Sequence, residues 1–222
     1  MSSTSRRETL RRLSLAGLMA PGFAPGWLAA QASPPWPHAT GVRHTRGKVE
    51  INGRPAEVGM PVSPGDTVST AADGEAIYVI GSDAFLQRGS STIAFSATPA
   101  AAFLRVVTGR LLSVFGKSER RITTPTATIG IRGTGCYIEA EAGRVYFCLC
   151  YGSALVIPHA APDHLERLTT RHHDRPLLIH DRGNLPLLAE AAVVNHSDAE
   201  LEWLERLVGR RPPFSPERST PY

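Results

Sequence analysis

No stretch of this sequence offers the ~20 uninterrupted apolar residues that a membrane-spanning helix requires. The most apolar segment, Leu13 to Ala30, is broken by Gly17, Pro21, Gly22, Pro25 and Gly26. Cysteine is scarce. Three residues (Cys136, Cys148 and Cys150) are too few for a disulfide scaffold. The motifs of common catalytic machinery are also missing: there is no Gly-x-Ser-x-Gly elbow, no His-Glu-x-x-His and no phosphate-cradling Walker loop. Sustained helical periodicity is absent until the last quarter of the chain. Excess charge is lacking too, once the N-terminus is set aside. Of 24 Lys and Arg against 20 Asp and Glu, Arg6, Arg7, Arg11, Arg12 and Glu8 lie in the first dozen residues. The remainder is close to balanced, so the basic pI gives no argument for a nucleic-acid partner.

What the N-terminus does contain is a leader. The paired arginines Arg6 and Arg7 precede the modestly apolar stretch, which closes on Ala30-Gln31-Ala32, a small-x-small cleavage pattern. Ser5-Arg6-Arg7-Glu8-Thr9-Leu10-Arg11 resembles the twin-arginine consensus, with Thr9 in place of its usual Phe. An ordinary secretory signal with a chance arginine pair is the alternative. Either route predicts a periplasmic protein with no transmembrane span after cleavage. Residues 1–32 are thus read as a signal peptide, and 33–41, rich in proline, as an extended linker.

From Val42 to Ile157 short runs alternate with turn residues. Asn52-Gly53 after Lys48–Ile51 is a hairpin signal, because both residues tolerate the positive φ of a type I′ turn. Further runs follow at 66–70, 75–80, 84–87, 92–95, 103–107, 110–115, 122–124, 127–131, 136–140, 144–150 and 154–157. Many short strands with Gly, Asp and Pro breaks predict an all-β domain, a jelly roll, β-roll or sandwich. Residues 158–196, with five histidines between 159 and 180, read as an irregular extension, with one short strand around Leu177–Ile179. Ser197-Asp198-Ala199-Glu200 is a capping box, and Leu201, Leu204, Leu207 and Val208 share one helical stripe before Gly209. One C-terminal helix is therefore expected over 197–209, followed by a loose tail over 210–222.

The segment Gly65-Asp66-Thr67-Val68-Ser69-Thr70 and the later Thr124-Pro125-Thr126-Ala127, leading into Gly130-Ile131-Arg132-Gly133-Thr134, resemble the FecR domain over residues 42–157. The resemblance implies a periplasmic β domain, and in the namesake a sensor that passes receptor occupancy to a sigma factor. The namesake carries a cytoplasmic segment and a membrane helix ahead of that domain. Here a leader takes that place, so the domain is carried over and the sigma-factor role is not. Gly130 and Gly133 would allow a bend or close backbone approach, and Arg132 would pair with a carboxylate or strand-end carbonyls, or hold an anion.

Cys148 and Cys150 sit two apart in an apolar run and would share one strand face. A three-residue loop at 141–143 would set Cys136 opposite Cys148; a two-residue loop would set it opposite Leu149. The cysteines read as buried small apolar side chains, as a cross-strand disulfide of Cys136 with Cys148 or Cys150, or as a metal or redox site completed by His172 or His173. The function expected first is a non-enzymatic binding or signalling module, with no cofactor, contacting an envelope protein or ligand. The second is a small periplasmic protein holding a transition metal or redox site on Cys136, Cys148, Cys150, His172 and His173.

Overall fold

A computed structural model describes residues 40–98, 103–181 and 185–215. They belong to the unit Pro34–Tyr222; the unit Met1–Ser33, and with it the leader residues Arg6, Arg7, Ala30 and Ala32, lies outside the described residues. So do most of the 33–41 linker and the tail beyond Ser215.

Among the described residues the turn-punctuated sequence folds into fourteen strands and one helix. In chain order these are β1 Gly41–Arg46, β2 Val49–Ile51, β3 Arg54–Pro55, β4 Thr67–Thr70, β5 Glu75–Ile80, β6 Asp83–Gln87, β7 Ser91–Phe95 and β8 Leu104–Val114. There follow β9 Glu119–Thr123, β10 Ala127–Glu141, β11 Arg144–Pro158, β12 Glu166–Thr170, β13 Leu177–His180, β14 Leu188–Glu190 and α1 Asp198–Leu207. All-β with one C-terminal helix is the class the sequence predicts. No helix among the described residues is long and apolar enough to cross a membrane.

Among the described residues the strands form one continuous hydrogen-bonded network, in which only β8 and β9 run parallel. Its backbone is three long strands, each changing neighbours halfway along. β10 pairs with β9 through Arg132 and with β8 from Gly135, while β11 pairs first with β13 and then with β12. The change of partner happens at a corner, where the β10–β11 register slips between Arg132 and Cys136. Gly133 (φ +60°) and Gly152 (φ +96°) face each other there, and a Cβ on Gly152 would lie 2.8 Å from the Gly133 carbonyl oxygen. Only glycine fits that approach. The bend lets one strand serve two layers, and this is why the runs read as separate at 127–131 and 136–140 are one strand.

Inside the fold, Tyr78, Phe85, Phe95, Leu111, Ile138 and Phe147 pack into the main core. The outer face of β5, β6, β8, β10 and β11 is apolar as well, and α1 covers it. Leu201, Leu204, Leu207 and Val208 pack onto Ile77, Leu86, Leu112, Val114 and Tyr137. Each buried leucine of that stripe contributes about 1.5–3 kcal/mol by its removal from water. Ser197 Oγ accepts from the Glu200 N–H and Glu200 Oε2 accepts from the Ser197 N–H, the capping box expected from the sequence. The stretch read as irregular between 158 and 196 adds three short strands to the sheet edge. The one around Leu177–Ile179 is the strand the sequence predicts; the other two have patterns interrupted by charged residues, and their hydrogen bonds come from β11 for β12 and from β13 for β14.

Candidate functional site

The motif residues divide into fasteners and rim. Asp66 accepts from the Ser63 N–H (2.7 Å) and from Asn52 Nδ2 (2.7 Å), tying the β2–β3 turn to the start of β4. That turn has Asn52 and Gly53 both at positive φ, as its sequence requires. Gly65 donates its N–H to the Phe95 carbonyl, and Thr70 Oγ1 donates to the Arg88 carbonyl (2.6 Å) while accepting from the Ser91 N–H. Gly65, Asp66 and Thr70 therefore fasten β2, β4 and β7. Thr134 is buried at the corner, where its carbonyl accepts from the Phe115 N–H.

Arg132 and Gly130 lie instead on a pocket of about 880 Å³. Its floor is apolar, with Ile80, Phe95, Phe103 and Ile131, and its rim carries Arg120, Arg121, Arg132 and Arg167 with one acid, Glu119. Arg120 is engaged, donating to the buried Asp83 carboxylate at 3.1 Å and lying 4.7 Å over the Phe103 ring. Arg132 donates from Nε to the Lys117 carbonyl (3.2 Å); the bidentate carboxylate pairing open to it from the sequence does not form. Among the described residues, the Arg121 and Arg167 side chains have no hydrogen-bond or ion-pair partner. Gly130 has an ordinary φ, and a Cβ there would meet nothing closer than 3.9 Å, so the backbone does not demand glycine.

The cysteines settle by register. Glu141 pairs with Arg144, leaving a two-residue loop, so Cys136 opposes Leu149. Cys136 then points into the main core, while Cys148 and Cys150 point to the opposite face beneath α1. All three thiols are free. The disulfide of Cys136 is thereby replaced by a separation, and Cys136 leaves the group of candidate ligands.

Cys148 and Cys150 instead meet histidines. His173 Nδ1 lies 3.4 Å from Cys148 Sγ, and His196 Nε2 lies 3.1 Å from His173 Nδ1. Asp198, in the first turn of α1, accepts from His173 Nε2 (3.0 Å) and His172 Nε2 (2.8 Å). His173 is a non-glycine residue in the left-handed region (φ +52°), held there by its N–H bond to the Cys150 carbonyl. Its ring packs beside Phe214, and His196 stacks on Tyr137 at 4.6 Å between centroids.

The electrostatics are polarised. A hydrogen bond from Cys150, with others from His173 and His196, outweighs burial and holds the Cys148 thiol down at about 4. Burial and the neighbouring Cys148 push the Cys150 thiol well up. Burial opposes charge on His173, but Cys148 and Asp198 overcome it and raise the imidazole; the two histidines likewise lower Asp198 despite its partial burial. Of the sequence candidates, Cys148, Cys150 and His173 come together. His172 stands one step out on Asp198. His196 and Asp198 were not singled out as ligands, and the only signal was a histidine immediately before the capping box.

No family model and no curated protein matches the chain. Among solved structures it is similar to two crystal structures, at 1.65 and 2.50 Å resolution, of a candidate anti-sigma factor from Parabacteroides distasonis. The TM-scores are 0.46 and 0.45 at 9% identity. The superposition covers 56% of this chain and 58% of each of those, so the chain spans little more than half the length of the structures it matches.

Proposed function

We propose that this protein is a non-enzymatic, FecR-like binding and signalling module of the cell envelope. It receives an anionic group carried on an apolar segment of an envelope component. The observation that carries the reading is the pocket beside Gly130–Thr134. An apolar floor there lies under four guanidinium groups, two of them without internal partners. Guanidinium recognises carboxylate and phosphate through paired N–H donors, and an apolar base excludes water and strengthens that attraction. Export by the leader places the module in the periplasm in this reading, and the motif resemblance supports a role in recognition.

The test is photo-crosslinking in envelope extract, with a crosslinking side chain at Thr169 on the pocket wall. One specific envelope component is expected to be captured. Its yield should fall about tenfold or more when Arg121, Arg132 and Arg167 are changed together to Glu, with thermal stability retained, since charge reversal removes attraction and adds repulsion. Equal capture by the charge-reversed protein would refute the reading.

A further inference from the structure

Four donor atoms converge where β11, the turn after β12 and the entry to α1 meet. They are the sulfurs of Cys148 and Cys150, Nδ1 of His173 and Nε2 of His196, all within 4.8 Å of one another. The remaining ring nitrogens show what this convergence is for. His173 Nε2 faces a carboxylate oxygen of Asp198 at 3.0 Å, and His196 Nδ1 faces the Val194 carbonyl oxygen at 2.7 Å. Both of those oxygens accept, so each neutral ring carries its proton on the outer side. The lone pairs of His173 Nδ1 and His196 Nε2 are then aimed inward at each other across 3.1 Å, with the Cys148 sulfur 3.4 Å from the first. Opposed donor lone pairs beside a sulfur are reconciled either by a proton shared among them or by a metal cation bound between them.

The geometry points to a binding site for a single transition ion of the filled-shell Zn²⁺ or Cu⁺ class, held by Cys148, Cys150, His173 and His196. Asp198 and the Val194 carbonyl orient the two imidazoles from outside. Bond lengths of about 2.0–2.1 Å to nitrogen and 2.3 Å to sulfur put tetrahedral ligands ~3.4 Å apart for N and N, and ~3.6 Å for N and S. The protein's 3.1 and 3.4 Å need to open only slightly. Two sulfurs and two imidazoles select a soft or borderline ion over Mg²⁺ or Ca²⁺. A carboxylate behind one ligand histidine and a backbone carbonyl behind the other are the usual outer partners of metal-bound imidazole. Cys-x-Cys on one strand face supplies both sulfurs from a rigid element, and Tyr137 and Phe214 brace the rings.

The same atoms also trace a thiol–imidazole–carboxylate line, Cys148–His173–Asp198, which could activate a nucleophile. Cys148 is fully buried, however, so no substrate carbonyl can reach its sulfur, and His196 would have no part in that chemistry. A closed four-ligand site uses every group present. It also ties β11 to the entry of α1.

The reduced, purified chain is titrated anaerobically with Zn²⁺ alone and, in a second arm, with Cu⁺ alone. Each arm is read by competition with a chromophoric chelator, and Co²⁺ serves as an optical stand-in for Zn²⁺. One ion per chain is expected, with a thiolate-to-Co²⁺ charge-transfer band. Cys148→Ser and His196→Ala should each weaken binding more than about tenfold. Asp198→Asn should weaken it by about 10- to 100-fold, as outer-partner losses do. His164→Ala, away from the cluster, should leave affinity unchanged. His196 is partly exposed, so its variant carries the test if Cys148→Ser fails to fold. Lack of stoichiometric binding by the folded chain, or undiminished affinity in His196→Ala, overturns the site. So does rapid alkylation of Cys148 by iodoacetamide with Zn²⁺ present.

Discussion

Two glycines of one motif region do different work, and single-methyl substitutions separate them. Gly152 faces the Gly133 carbonyl and the Thr134 methyl at distances no Cβ can occupy, and its φ is +96°. Gly152→Ala is expected to cost about 1–3 kcal/mol, because both the clash and the left-handed backbone must be accommodated. Gly130→Ala should leave the thermal midpoint within error, since its Cβ would meet only ordinary contacts. Calorimetry of the two variants checks both outcomes. The sequence offers Gly130 and Gly133 equally as bend sites, since spacing says where a chain can bend and not which of two candidates bends. Of these two only Gly133 lies within the register slip, where its carbonyl closely approaches Gly152. The same limit applied to Cys136, whose face turned on whether the 141–144 turn has two loop residues or three.

The capped helix is the element on which the histidine cluster depends. Its box is readable in four consecutive residues, and its leucine stripe states which side is buried. Ser197→Ala removes the acceptor for the Glu200 N–H and should cost about 1 kcal/mol, measured by chemical denaturation. Leu204→Ala, on the fully buried face, should cost about 2–5 kcal/mol through lost burial and the cavity left behind. The position of the helix on the sheet was not readable. Arg88, more than a hundred residues earlier, donates to Glu200 (2.7 Å) and to the Asn195 carbonyl (3.0 Å). Arg210 reaches back to Glu205 and to the Ser82 carbonyl, while the Tyr151 hydroxyl also donates to Glu205. These contacts carry His196 to Cys148. A helix periodicity contains no information about such a partner.

At the scale of the whole molecule, a sheet buried on both faces encloses tyrosines whose phenols must stay protonated. Burial raises Tyr78 far above its usual range, and burial with the neighbouring Glu205 does the same to Tyr151. In the unfolded chain both would ionise near pH 10, at about the model-peptide value. Above that pH the folded state binds more protons than the unfolded state, so stability falls as pH rises and is unaffected by these groups below it. Denaturant midpoints should therefore decline steeply above about pH 10, and a Tyr78→Phe variant should lose part of that slope. The sequence by itself determined the class of the fold, its turns, the strand content between Val42 and Ile157, the helix with its cap, and the shared face of Cys148 and Cys150. All of these follow from local φ preference and from periods of two or 3.6 residues. Only the tertiary structure decided that β10 and β11 turn a common corner, that arginines from β9, β10 and β12 ring one pocket, and that His173 and His196 meet the Cys148–Cys150 pair. Those arrangements rest on pairing register and on contacts between distant segments, which a one-residue slip in any strand would undo.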